Sequence, residues 1–490
     1  MDRRSQDIIF SLKGSNDRAR KAIKLKENRK WASNKLFREN CFTFGSSLPT
    51  KDSNPLLTIA TLGSSRSKAD IYIPGDDIAD VNSAFVVNWR TGVVLVENRS
   101  PDCTRVYPNA ESMTNQMPRG EPHRVAVIQG FNTVLSLGRN ERDRARFEFV
   151  WNLKPEQTLE LIRRRISGAS ADVQRRCLVN FRGQTPSGEN PVYHFPIAEL
   201  GRGSFGRVWK TVDELSGDFI AVKMLHPPKN PDDAIWRNNM KLAREREVFI
   251  LSRLKHPHVL PFLGSHGWET GTVQIFFALK KGNLQDLIVS NLPSQTKMEI
   301  GHAALVHTLS AIDYLDYMGV VHRDIKPDNI LYDIDHQGRY IFQLGDFGLA
   351  NYQLAAGTGA GSKVFTAPEI VDKLGPQTSA VDIWSLFVTM LWFHNADLFR
   401  YKVREMSRTE IRRSIINAAM KNKTVKHIRE MGIFDPNYRA TAAQMLNCLG
   451  RQDLITQAFT PLRPDHFDTW LETVAYGSSP YSNYLHQLFA

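Results

Sequence analysis

Short runs in which apolar and polar residues alternate recur through the first third of the chain: Leu57–Leu62, Asp70–Ile73, Ala84–Trp89, Val93–Glu97, Arg124–Gln129, Thr133–Gly138 and Phe147–Trp151. Turn-forming Gly, Pro, Asn, Asp and Ser separate them. Many short strands at regular spacing predict an antiparallel β-sandwich over residues 41–151. A helical run, Pro155–Ile166, opens a linker over 152–192 that ends in a Gly/Ser/Pro-bearing stretch. From Tyr193 the pattern changes to strands followed by long helices, which sets a second domain over 193–460. Residues 1–40 read as a basic arm with a helix around Arg18–Phe37, and 461–490 as a tail. The tail's aromatics, Phe467 and Trp470 among them, suit either packing on the preceding domain or docking a partner. There is no run of 18 apolar residues, so no membrane span is expected, and no internal repeat.

Composition changes this picture little. At 490 residues the chain exceeds what one core usually serves. The net charge is +12, and residues 1–40 carry twelve Lys/Arg against five Asp/Glu. Such an arm can bind nucleic acid, an anionic surface or an import receptor, or simply stay solvated, so charge does not decide the function. The N-terminus lacks the apolar core of a secretory signal. Cys41, Cys103, Cys177 and Cys448 stand far apart in no metal-ligand spacing, which suits a reducing compartment.

Chemistry enters after residue 200. Gly201, Gly203 and Gly206 form G-x-G-x-x-G with Val208 behind them. The following segment, Arg207–Thr211, reads as a strand rather than a helix, so the glycines close a hairpin whose backbone N–H groups can lie over phosphates. The next strand, Phe219–Met224, holds Ile220-Ala221-Val222-Lys223, and a lysine inside an apolar strand needs a partner. Glu247, in the helical run Ala243–Leu254, is the candidate, with Glu245 the other choice. Then come His322-Arg323-Asp324-Ile325-Lys326-Pro327-Asp328-Asn329, Asp346-Phe347-Gly348 and Ala367-Pro368-Glu369.

Taken in this order, the five elements resemble those of a protein serine/threonine kinase. The resemblance implies a bilobal α+β kinase fold preceded by the all-β sandwich, with ATP and Mg²⁺ as cofactors and proteins as substrates. It implies that Asp324 accepts the substrate hydroxyl proton, with Lys326 beside it, and that Lys223 and Glu247 pair to hold the nucleotide phosphates. Asn329 and Asp346 would ligate Mg²⁺. Gly201, Gly203, Ser204, Gly206 and Val208 would cover the nucleotide, and Ala221, Phe276 and Leu331 would line it. Asp382, in Asp382-Ile383-Trp384-Ser385, is similar to the aspartate that anchors the catalytic loop, and Arg439 to the arginine that pairs with Glu369. Thr358 and Ser362 are the activation-loop candidates, with Tyr352 behind them, and Arg323 would pair an activating phosphate. Phe387 stands where the family usually has Gly. Lys280 and Lys281 after the hinge argue weakly against arginine-rich substrates.

Residues 41–151 resemble a forkhead-associated (FHA) domain. Leu62-Gly63, Arg66 and Asp70-Ile71-Tyr72-Ile73 stand for its opening motif, Asn82-Ser83-Ala84-Phe85 and Ser100-Pro101-Asp102-Cys103-Thr104 for its loop tips. The tips depart from the family pattern, leaving Arg66, Asn82, Ser83 and Arg99 as phosphate-contact candidates. This region would dock a phosphoprotein or another protein, and an FHA–kinase order resembles checkpoint kinases. That order implies a nuclear or cytoplasmic enzyme, with the nucleus favoured, that pairs with a second copy for trans-autophosphorylation. The alternative is a kinase-fold scaffold that docks proteins without turnover.

Overall fold

The computed structural model describes residues 7–32, 41–45, 50–100, 104–107, 124–169, 194–203, 206–225, 238, 248–268, 273–335, 337–349, 351–352, 364–372 and 377–475. The chain forms two compact units, residues 1–225 and 226–490. Among the described residues no helix is long and apolar enough to cross a membrane.

In the first unit, ten strands form two five-stranded sheets. They are β1 (Ile8–Gly14), β2 (Cys41–Gly45), β3 (Thr58–Gly63), β4 (Ile71–Tyr72), β5 (Ser83–Val87), β6 (Val94–Asn98), β7 (Thr104–Tyr107), β8 (Arg124–Val127), β9 (Val134–Leu137) and β10 (Ala145–Trp151). One sheet runs β2-β1-β10-β9-β7 and the other β4-β3-β5-β6-β8. Phe85 of the second sheet inserts among Phe10, Phe44 and Phe149 of the first, with ring centroids 5.0, 5.0 and 6.0 Å away. Those rings anchor one continuous apolar cluster between the sheets, as a sandwich requires.

The expected basic arm is corrected over the residues described. β1 is an inner strand paired with both β2 and β10. After it, helix α1 (Asp17–Lys24) buries Ala19, Ala22 and Ile23 and turns its charges outward, and Asn16 caps it. Arg18 is bound to Asp77 at 2.5 Å, and Asn28, fully buried, exchanges bonds with Tyr72. Trp31 is also fully buried. The apolar run Ile8-Ile9-Phe10-Ser11-Leu12 supplies this core, and a charge count over forty residues hides it. The linker helix α2 (Pro155–Ser167) is likewise part of the sandwich: Ile162 joins its core, and a Cβ on Gly92 would lie 1.9 Å from the carbonyl oxygen of Pro155.

Strands β11 (His194–Gly203), β12 (Gly206–Asp213) and β13 (Phe219–Leu225) close the first unit as an antiparallel meander. In the second, β14 (Phe262–His266) pairs with β15 (Gln274–Ala278). A three-stranded sheet joins β16 (Gly282–Asn283), β18 (Ile330–Ile334) and β19 (Tyr340–Leu344), while β17 (Val320–Val321) pairs with β20 (Asn351–Tyr352). The longer helices of the second unit are α3 (Ser294–Tyr317), α4 (Ala380–His394), α5 (Arg408–Lys421), α6 (Ala442–Cys448) and α7 (His466–Ala475). α4 is apolar on all sides and buried along almost its whole length, as befits a helix surrounded by others. Its hydroxyls are satisfied locally, Ser385 donating to Val381 and Phe365 and Thr389 to Ser385. The choice left open for the tail is decided for α7: Phe467 and Trp470 are buried, Arg429 lies over the Phe467 ring, and His466 bonds the Tyr438 carbonyl.

Candidate active site

The glycines do close a hairpin, between β11 and β12, with Gly203 opposite Gly206. A Cβ on Gly206 would lie 2.2 Å from the Met224 carbonyl oxygen, so β13 passes too close for any larger residue. Val208 faces Gly201 on one side and Lys223 on the other, and Ala221 faces Lys210. Lys223 therefore sits inside the meander beside the glycine hairpin. Ser204, Glu245 and Glu247 lie outside the described residues.

In the second unit the loop after β17 holds the strongest cluster. The buried Asp382 of α4 accepts the backbone N–H of His322 and of Arg323, each at 2.8 Å. Burial pushes the Asp382 carboxyl up, against the pull of His322, Arg323 and the two amides. That anchor fixes a loop in which Arg323 takes a left-handed conformation, φ 68°. The His322 ring accepts from the Asp324 amide and bonds the Gly345 carbonyl at 3.0 Å. Lys326 Nζ donates to Asp324 Oδ2 at 2.6 Å, and Asn329 Nδ2 donates to the same oxygen at 3.0 Å. Asp324, Lys326 and Asn329 thus form one hydrogen-bonded group, positioned from below by α4.

Asp346 follows Gly345, whose N–H returns to the Asn329 carbonyl at 2.9 Å. Asp346 is exposed and also left-handed, φ 57°, while Phe347 is buried against the His322 ring. A carboxylate and an amide oxygen are the hard donors Mg²⁺ takes, and Asn329 has its amide nitrogen committed to Asp324, so the side chains fit that ion. Leu331 packs where a Cβ on Gly345 would meet it at 3.0 Å, and Phe276 is buried with its ring 5.0 Å from that of His266.

Farther on, Glu369 and Arg439 form a two-pronged buried ion pair at 2.5 and 3.1 Å. Arg439 gives its remaining N–H groups to the carbonyls of Ile433, Ala380 and Phe434, so the charge is fully solvated by protein.

Residues 196–449 match the protein kinase domain family, more than half of the sequence. The chain belongs to that family. It is 27% identical over 220 residues to CBL-interacting serine/threonine-protein kinase 9 of Arabidopsis thaliana, covering 43% of this chain and 47% of that one. It is 28% identical over 232 residues to mitogen-activated protein kinase kinase kinase mkh1 of Cytospora mali, covering 43% and 12%. The match therefore spans less than half the length of either relative.

In this family member Arg323 is buried and donates to Gln377 at 3.3 Å, a partner no sequence signal announced. Thr358 and Ser362 lie outside the described residues, and of Tyr352 the structure gives the backbone, paired in β20 with Val320. The Phe387 departure has a structural counterpart: its buried ring lies where a Cβ on Gly432 would come within 2.5 Å. Lys280 is drawn below the usual lysine range by burial, with Asp333 3.9 Å away pulling back. In the sandwich, Asn82 is buried and donates to Thr104 at 2.7 Å, and Ser83 is buried too. Arg66 pairs with Glu27 and covers Tyr72, and Arg99 pairs with Asp52 and Glu97.

Proposed function

We propose that this kinase transfers the γ-phosphoryl of Mg-ATP to serine or threonine hydroxyls on proteins. The observation that carries the reading is the Asp324–Lys326–Asn329 group held by Asp382. Mg-ATP supplies the phosphoryl group and a cation that offsets its charge. Asp324 orients the substrate hydroxyl and takes its proton, and Lys326, bound to the same carboxylate, neutralises charge as the proton moves. Asn329 and Asp346 would hold the cation, and Lys223, for which Glu247 is the expected partner, would hold the phosphates. Phosphorylation at Thr358 or Ser362, by a second copy, would order the activation segment through Arg323.

The sandwich we read as FHA-type, serving a checkpoint-like signalling role. Two candidate phosphate contacts, Asn82 and Ser83, face inward and the two arginines already hold carboxylates, which favours protein docking over phosphothreonine capture in the family manner.

The test is labelled-phosphate incorporation into the chain and a generic protein substrate, wild type against Asp324→Asn. Loss of proton acceptance should lower transfer by about 10²- to 10⁴-fold. A wild type that stays inert after pre-phosphorylation by a broad kinase would instead support the scaffold.

A further inference from the structure

The first unit holds an interface that no sequence motif announces. The turn between β5 and β6, Asn88 to Gly92, meets the turn between β12 and β13, Glu214 to Asp218, and the two are bound by four side-chain hydrogen bonds. Asn88 Nδ2 donates to the Ser216 carbonyl at 2.9 Å and to Asp218 Oδ1 at 2.8 Å. Arg90 donates to Asp218 Oδ2 at 3.0 Å, and Thr91 Oγ1 to the Gly217 carbonyl at 2.7 Å. A fifth bond comes from the sheet edge, where the Ala126 amide of β8 donates to the Glu214 carbonyl at 2.6 Å.

Each turn is also braced by hydrogen bonds of its own. Asn88 Oδ1 accepts the amides of Arg90 and Thr91, so both donors and both acceptor positions of that buried side chain are used. Asp213 Oδ1 likewise accepts the amides of Leu215 and Ser216, and Gly217 takes φ 69°. Apolar contact seals the junction: a Cβ on Gly217 would stand 3.2 Å from Val93 and 3.4 Å from Leu95. Val212 of β12 belongs to the sandwich core, and the rings of Phe131 and Phe195 lie 5.2 Å apart. On its other side the Asn88–Gly92 turn carries α2.

We propose that Asn88, Arg90 and Thr91 are positioning residues for phosphoryl transfer, fixing the base of the hairpin that carries Lys223 and the glycine loop. This rests on the kinase reading above. Lys223 is five residues along β13 from Asp218, about 17 Å of strand. The glycine tip lies at the far end of β12 from the clamped turn. A grip on the base, at the end of the hairpin opposite the glycines, fixes the lysine's strand without engaging the residues that would meet a nucleotide. The sandwich then works as a fixed part of the nucleotide-binding hairpin rather than as a module on a loose tether.

Asn88→Asp separates this role from folding. It keeps the oxygen that accepts the Arg90 and Thr91 amides, so the β5–β6 turn survives, but sets a second acceptor against Ser216 and the Asp218 carboxylate. The full chain is measured by amide hydrogen exchange, by binding of a fluorescent ATP analogue with Mg²⁺, and by steady-state kinetics. Expected are faster exchange over 206–225 with 83–98 unchanged, about five- to tenfold weaker nucleotide binding and higher KM for ATP. The KM for protein substrate stays put, and adding Asp218→Asn, which restores a donor, recovers part of the loss. Unchanged exchange in the hairpin would overturn the clamp. Faster exchange with wild-type nucleotide affinity would overturn the positioning role. Should the wild type transfer no phosphate at all, the kinase reading fails by itself, and exchange and nucleotide binding still decide the clamp.

Discussion

Phe387 and Gly432 show one residue licensing another. Phe387 stands in α4 where the sequence pattern predicts glycine, and it fits because residue 432, at the end of the 3₁₀ segment Lys426–Gly432, has no side chain. Both ring and backbone are buried, so neither can yield cheaply. Gly432→Ala is expected to destabilise the second unit by about 1–3 kcal/mol through overpacking. Phe387→Leu added to it should recover part of that loss, and urea unfolding of both variants is the measurement. If Gly432→Ala unfolds at the wild-type midpoint, the ring has room the structure does not show.

A stack of imidazoles supports the sheet of β18 and β19. The His258 and His307 rings stack at 4.0 Å, His258 bonds the Phe342 carbonyl, and the Phe342 amide bonds His307. His256 continues the row, stacked on Tyr314. Burial holds His256 down to about 4 and His307 to about 3; neighbouring His258 lowers both, and Arg451 adds to the effect on His307. His258 is lowered as well, by burial above all. Folded, these rings stay neutral where the unfolded chain, with its ordinary histidines near 6.5, begins to bind protons. Stability is therefore complete above about pH 6.5 and falls as pH drops toward 4. Thermal melts across that window should show the decline. His307→Phe, which keeps the stack without that ring's titrating nitrogens and gives up the Phe342 amide bond, should make the decline shallower, His256 and His258 keeping the rest.

At the scale of the whole molecule, the N-terminal segment matters most. Because β1 lies between β2 and β10, removing residues 7–32 deletes an inner strand together with Trp31 and α1. The truncated chain is expected to lose the sandwich rather than a tail, seen as rapid proteolysis between residues 41 and 169. Persistence of a protected fragment there would show the segment to be an appendage after all.

The sequence by itself determined what depends on local order. The strand periods from Leu57 to Trp151, α2, the glycine hairpin and the kinase motifs are each carried by residues within a few positions of one another. Their side-chain period and chemistry survive any packing. Only the tertiary structure decided the rest. The sequence could not show that Ile8–Gly14 is an inner strand, that Gln377 meets Arg323, or that Gly432 makes room for Phe387. Nor could it show that Asn88 and Thr91, ordinary turn residues, grip a hairpin more than a hundred positions away. Each of those depends on which surfaces meet, and burial and hydrogen-bond pairing are properties of the assembled fold, not of the neighbourhood in the chain.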